Sequence, residues 1–189
     1  MQNQTSDCFI KLNCNYTTTQ YSYNALIKSY GNFVNGHWEG IEYYNTVDQE
    51  SNELWNLIPK EYHNDFYLCI MVINCKIPPH TDSNILCSIN AYIKPDGSIT
   101  KFYSIIGDTI TRKITNQTNG SIFDKACLTQ LGEFTAGQDE VYLLDVTVPH
   151  SVEPGNNESG TERIAVCLQS KTKTFNQVFD ILNIGKATK

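Results

Sequence analysis

The apolar positions of this chain fall into two regimes that divide near residue 66. From there onward five short runs, Phe66 to Cys75, Ile85 to Ile93, Ile99 to Ile105, Val141 to Val148 and Arg163 to Gln169, are rich in Ile, Val, Tyr and Phe and end in turn residues. That is the composition and spacing of β-strands. Lys94-Pro95-Asp96-Gly97-Ser98 has the chemistry of a tight turn and predicts a hairpin between two of these runs. A second turn cluster, Glu153 to Gly160, leads from the run before His150 to the one that opens at Arg163. Many short strands at even spacing predict an antiparallel barrel or sandwich, closed or doubled so that its edges are protected. Before Phe66 the pattern changes. Cys8 to Leu12 is strand-like, whereas Tyr21 to Tyr30 and Glu53 to Ile58, the latter ending at Pro59, read as helices, so residues 1–60 are expected to form a helix-rich support. In the tail, Thr174 to Asn183 sets Phe175, Val178, Phe179 and Leu182 at helical spacing, which predicts a helix packed on the outside of the β-body.

Composition narrows this picture without changing it. A chain of 189 residues, 40% hydrophobic and 11% aromatic, is long enough to bury one sizeable core and suits a single domain over 1–189, with the β-core at 66–170 and the terminal helix at 174–183. The longest apolar stretch, Phe66 to Ile77, is broken by Asn74 and Lys76 and falls far short of the roughly 20 residues a membrane helix needs. The first residues are polar and lack the basic and apolar regions of a secretory signal, so an intracellular, cytoplasmic protein is expected. Seven cysteines, an odd number with no Cys-x-x-Cys pair, point to buried free thiols rather than a disulfide framework or a zinc site. Cys75 and Cys87 are expected near the barrel interior, chiefly as packing residues. A net charge of −6 with only two Arg gives no footprint for duplex nucleic acid.

Four histidines are present, and two carry a pattern. His80-Thr81-Asp82 follows Pro78-Pro79, and residues i and i+2 of an extended segment project to one side, so an imidazole and a carboxylate can approach one ion together. Alone, such a pair is more often a surface accident. His150, in Val148-Pro149-His150-Ser151, follows a strongly apolar run and taken alone reads more readily as a core histidine bonded to backbone. Two His and one carboxylate together make the facial triad of non-haem ferrous oxygenases, which leaves coordination positions open. Arg163 heads the run Ile164 to Leu168, and a hairpin returning from His150 would bring its two-pronged guanidinium alongside that pocket. An outward-pointing strand residue is the competing reading for it.

These parts, in this order, resemble the ferrous-iron and 2-oxoglutarate-dependent dioxygenases. The resemblance covers Phe66 to Ser170 and rests on Pro-Pro-His80-Thr-Asp82, the segment Ser88 to Ser98, Gly137 to Asp145, Pro149-His150-Ser-Val152 and Arg163-Ile-Ala-Val. Within that family it looks most like the prolyl-hydroxylase-like branch and its small viral or phage members. The resemblance implies a double-stranded β-helix, a jelly-roll barrel backed by helices. It implies that His80, Asp82 and His150 hold Fe(II), that Arg163 pairs with the distal carboxylate of 2-oxoglutarate, and that the Tyr92 hydroxyl helps to hold that carboxylate. Tyr92 also reads as a core aromatic. Where many members have Ser two residues after the Arg, this chain has Ala165.

The implied activity consumes O2 and 2-oxoglutarate, yields succinate and CO2 and hydroxylates a substrate, for which a protein side chain such as prolyl or a small metabolite fits better than nucleic acid. A nucleic-acid base oxidase of the same superfamily, a non-catalytic β-barrel binding or virion-associated protein that retains the site, and a cupin-like metal protein are the alternatives. Asn74, Ser88 and Asn90 interrupt β runs and read either as pocket residues or as outward-facing alternation. Gly31 to Tyr44, rich in Gly and aromatics, is a candidate substrate loop or a packed connector.

Overall fold

The computed structural model describes residues 5–17, 27–28, 41–45, 52–107, 111–113, 120–154 and 162–187. Its strands are β1 (Thr5–Ser6), β2 (Phe9–Leu12), β3 (Ile27–Lys28), β4 (Ile41–Asn45), β5 (Phe66–Ile73), β6 (Ile77–His80), β7 (Cys87–Lys94), β8 (Ile99–Ile105), β9 (Thr111–Lys113), β10 (Ser121–Phe123), β11 (Leu128–Thr135), β12 (Val141–Leu144), β13 (His150–Glu153) and β14 (Arg163–Ser170). The one α-helix among these residues is α1 (Phe175–Ala187). The strands form an eight-stranded sheet of order β1-β2-β12-β7-β14-β5-β4-β3 and a six-stranded sheet of order β11-β8-β13-β6-β10-β9. From β5 to β8 the chain changes sheet at every connection, and from β12 to β14 it does so again. All pairings are antiparallel. This alternation is the double-stranded β-helix, a jelly roll with supporting helical turns.

Each face of the larger sheet is covered, and the two faces alternate strictly along β14 and β5. Ile164, Val166 and Leu168 join Leu68, Ile70 and Val72 in an outer core that also takes in Leu54, Ile58, Phe175 and Val178. Ala165 and Cys167 join Cys69, Tyr92, Phe102, Phe134 and Tyr142 in an inner core between the sheets. A strand covered on both faces is apolar at nearly every position, and all eight residues of β14 are buried. The terminal helix seats Phe175, Val178 and Ile181 on the outer face and leaves Phe179 exposed, which shifts its buried stripe from the expected one.

Several expectations are corrected. Within 1–60 the described elements are four strands of the eight-stranded sheet and one 3-10 turn, Glu53–Leu57, capped by the Asn52 side chain. The first sixty residues are therefore not helix-rich where they are described. The helix expected at Tyr21 to Tyr30 meets strand β3 at Ile27–Lys28, and the rest of it lies outside the described residues. Lys94 to Ser98 is a true turn, with Gly97 at φ 78° and the Asp96 carboxylate accepting from the Ser98 backbone N–H at 2.9 Å. The strands that it joins lie in different sheets, so it makes a corner and not a hairpin. The run Val141 to Val148 stops at Leu144, because Asp145 Oδ1 accepts from the Thr147 N–H at 3.0 Å and turns the chain across to the other sheet.

Candidate metal centre

His80 ends β6 and His150 begins β13, and the two face one another in the antiparallel register. Their rings lie side by side at 4.2 Å between centroids. Pro78 and Pro79 cannot donate to a ladder, so β6 is held to β13 through Ile77 and His80, with an irregularity between them. Beyond His80 the chain leaves the sheet but stays tied down. The Thr81 N–H donates to the Ser121 carbonyl at 2.9 Å and the Asp82 N–H to the Val146 carbonyl at 3.0 Å. Asn84, at φ 61°, then turns the backbone away, in a conformation that Asn tolerates better than most residues.

These constraints bring three donor groups together. Asp82 Oδ1 lies 3.2 Å from His80 Nε2 and 3.6 Å from His150 Nε2. One ligand atom from each of His80, Asp82 and His150 falls within 4.8 Å of the others, a set that can hold one metal ion. Both Nδ1 atoms are committed to the backbone, His80 to the Pro78 carbonyl and His150 to the Val148 carbonyl, each at 2.9 Å. A carbonyl only accepts, so each Nδ1 carries a proton, and Nε2 is the ring atom turned toward Asp82 and open to a metal. Burial, and next the neighbouring His80, push the His150 imidazole down to about 4, so it stays neutral at physiological pH as a ligand must. For Asp82 burial acts upward, but hydrogen bonding to His80 and the two imidazoles outweigh it and keep the carboxyl below its usual range. Two imidazoles and a carboxylate on one side of an ion suit a borderline divalent transition metal.

Arg163 opens β14 and is only 2% exposed. It does not arrive by a hairpin from His150, as the sequence suggested, because β13 and β14 lie in opposite sheets. Its Nη2 donates to Thr100 Oγ1 at 2.9 Å, and its guanidinium carbon sits 4.5 Å over the Tyr92 ring. Nη1 is buried with no hydrogen-bond partner among the described residues. Thr100 stands two residues along β8 from Phe102, whose ring stacks on His150 at 5.6 Å. The guanidinium's partner Thr100 thus stands one strand repeat, about 7 Å, along β8 from the residue that stacks on His150. Tyr92 is 1% exposed on β7, inside the barrel as expected, beneath the guanidinium and edge-on to Phe134 and Tyr142.

Other residues sort differently from the sequence reading. Ser88 and Asn90 alternate with Cys87, Ile89 and Ala91 of the outer core, so they face the chamber, and Ser88 Oγ donates to Asn90 Oδ1. Asn74 is exposed beyond the end of β5. Cys87 lies in the outer core and donates to the Lys173 carbonyl, and Cys75 packs against a separate small cluster. The cysteines of the inner core are Cys8, Cys69 and Cys167. Of the stretch Gly31 to Tyr44, only its last residues are described, in strand β4, where Tyr43 packs against the inner core. Thr100, Phe102, Tyr67 and Gln169 were not singled out in the sequence. The i and i+2 alternation of Thr100 and Phe102 was the available signal.

Fold and site thus define a jelly-roll barrel with a buried triad able to hold a metal ion. No protein-family model and no curated protein matches the chain. Among solved structures it is similar to the vicilin of hazelnut, Corylus avellana, with a TM-score of 0.38, 10% identity, and coverage of 70% of this chain and 29% of that one. It is similar to the Fe(II) form of HppE, with a TM-score of 0.36, 9% identity, and coverage of 76% and 55%. The L-ribose isomerase of Cellulomonas parahominis with L-psicose gives 0.36 and 11% identity, over 69% of this chain and 60% of that one. The chain thus spans between 29% and 60% of the length of these structures. No helix among the described residues is long and apolar enough to cross a membrane.

Proposed function

We propose that this protein is a non-haem Fe(II)- and 2-oxoglutarate-dependent dioxygenase that hydroxylates an organic substrate. The observation that carries this reading is the buried Arg163 Nη1, left without a partner among the described residues, on a side chain that reaches across to the smaller sheet on which His80 and His150 stand. A buried cation is costly unless an anion meets it. No salt bridge to Arg163 exists among the described residues, and an anionic ligand would compensate it. The charges agree. A divalent ion with Asp82 and Arg163 carries two net positive charges, and a dicarboxylate neutralises both. The strand repeat between Thr100, which holds the guanidinium, and Phe102, which stacks on His150, is a span that a short dicarboxylate can bridge.

In this reading His80, Asp82 and His150 would hold the Fe(II), which when bound supplies the activation of O2 that drives decarboxylation to succinate and CO2 and hydroxylation. The chain's own residues do the rest. Arg163 and the Tyr92 hydroxyl clamp the distal carboxylate, while Thr100 keeps the guanidinium turned toward the chamber. With Ala165 in place of a hydroxyl residue, that clamp leans on Tyr92. The Pro78 and Val148 carbonyls hold each proton at Nδ1, so both imidazoles stay ligands. Phe102, Phe134 and Tyr142 wall off water. The substrate would be a protein side chain such as prolyl or a small metabolite, and the chain would act in the cytoplasm.

The test is an anaerobic titration of metal-free protein with ferrous ion and then 2-oxoglutarate, following the visible metal-to-ligand charge-transfer band, with Arg163→Ala alongside. The band should need both additions, and the variant should need far more 2-oxoglutarate. No band in folded protein would overturn the assignment.

A further inference from the structure

Cys69 on β5 and Cys167 on β14 stand directly opposite each other in the antiparallel register. Both belong to the inner core, on the chamber side of the larger sheet, and both are buried. Directly opposed residues of antiparallel strands have Cα atoms about 4.5–5.5 Å apart. That separation lies inside the range of about 4.4–6.8 Å found across disulfides. Their thiols are also within hydrogen-bonding reach of one another. No other cysteines are so placed. Cys87 lies opposite Ser170, and Cys8 is separated from Cys167 by β12 and β7.

We propose that Cys69 and Cys167 are a redox pair built into the inner core, which hydrogen peroxide converts into a disulfide bridging β5 and β14. The sulfur of Cys69, the less enclosed of the two, attacks one oxygen of the peroxide. An S–O bond forms, the O–O bond breaks and one water leaves. The Cys167 sulfur then displaces that oxygen. An S–S bond forms, the S–O bond breaks, and the thiol proton leaves with the oxygen as a second water. Two thiols lose two electrons and two protons, and one peroxide becomes two waters. Burial pushes the Cys167 thiol well up, so it is a poor nucleophile toward bulky reagents in solution. Its reaction is with the sulfur beside it, where proximity replaces thiolate abundance. The bridge would form two residue pairs along the ladder from Met71 and Ala165, on the same face of the sheet and beside the strand that carries Tyr92, and would tie together two neighbouring strands of the larger sheet. It requires no bound metal, so it stands apart from the proposed activity.

The experiment uses the full chain, metal-free and fully reduced, exposed to graded hydrogen peroxide, then denatured, capped with N-ethylmaleimide and mapped by mass spectrometry. Two of the seven cysteines should lose reactivity together, with a mass loss of two hydrogens and a linked peptide pair carrying Cys69 and Cys167. Cys69→Ala and Cys167→Ala should each abolish that linked pair. Because either variant can perturb the core, peptide mapping of the unmodified chain decides the matter by itself. Oxygenated cysteines elsewhere with Cys69 and Cys167 still capped, or a bridge between any other two, would overturn the proposal.

Discussion

Arg163 joins the two sheets of the barrel to one another: its Nη2, on β14 of the larger sheet, donates to the Thr100 hydroxyl on β8 of the smaller at 2.9 Å. One arm of the guanidinium is fixed by this bond while the other is buried without a partner among the described residues. A side chain kept for packing would not carry such a charge. Arg163→Met retains much of the volume and removes the uncompensated cation. Its unfolding free energy in urea should equal or exceed that of the parent chain, because replacing a poorly compensated buried charge by an apolar isostere is neutral or stabilising. Its affinity for 2-oxoglutarate should fall at the same time. A loss of more than about 1 kcal/mol of stability, with 2-oxoglutarate binding unchanged, would make Arg163 a structural residue and not an anion site.

The triad makes a separate prediction about metal alone. His80→Ala, Asp82→Ala and His150→Ala should each lose stoichiometric ferrous binding, measured by iron retained after anaerobic gel filtration. Lys101→Ala, which removes a salt bridge to Glu153 on the smaller sheet, should keep it. Full retention in the His150 variant would break the assignment.

The sequence carried the β-body and the metal candidates because both depend on local rules. Strand β5 is an unbroken apolar run and β14 holds one from Ile164 to Leu168, and His80 with Asp82 is an i, i+2 pair whose geometry any extended segment provides. Connectivity was less legible. Turn chemistry at Lys94 to Ser98 reports that the chain reverses, not whether its two strands share a sheet, and barrel closure decided that. Strand β6 was hidden because two prolines argue against a central strand, which survives here by pairing through its ends. Strand β11 was hidden for the opposite reason: it is an exposed edge whose residues alternate weakly. The inward direction of Ser88, Asn90, Cys69 and Cys167 follows from register with neighbouring strands, which no single segment encodes.

The core itself gives a calibration. Leu168 is fully buried at the centre of β14, flanked by Leu68 on β5 and Ile89 on β7. Leu168→Ala should lower the unfolding free energy by about 2–5 kcal/mol, since the close-packed strands on both sides leave little room for collapse. Ile105, 47% exposed at the end of β8, should tolerate the same change within about 0.5 kcal/mol. Equal effects at the two positions, in urea denaturation, would contradict the outer core described above.

The last prediction concerns pH in the metal-free chain. His150 has its imidazole held down to about 4 against an ordinary 6.5, by burial first and by His80 next, with Asp82 and the Val148 carbonyl acting in the opposite sense. Between these two values the unfolded chain takes up a proton at this residue and the folded chain does not. Stability must therefore fall as the pH drops from 6.5 toward 4, and be unaffected by this group above that window. The full effect is ~3 kcal/mol, and the upper part of the window is free of most carboxylate titration. Urea midpoints measured at about pH 7 and about pH 5 should show the parent chain losing much of this amount. His150→Asn removes the titrating group while keeping a polar side chain. Its midpoint should change less over the same range, and an identical slope in the two proteins would show that the imidazole at 150 is not held neutral by the fold.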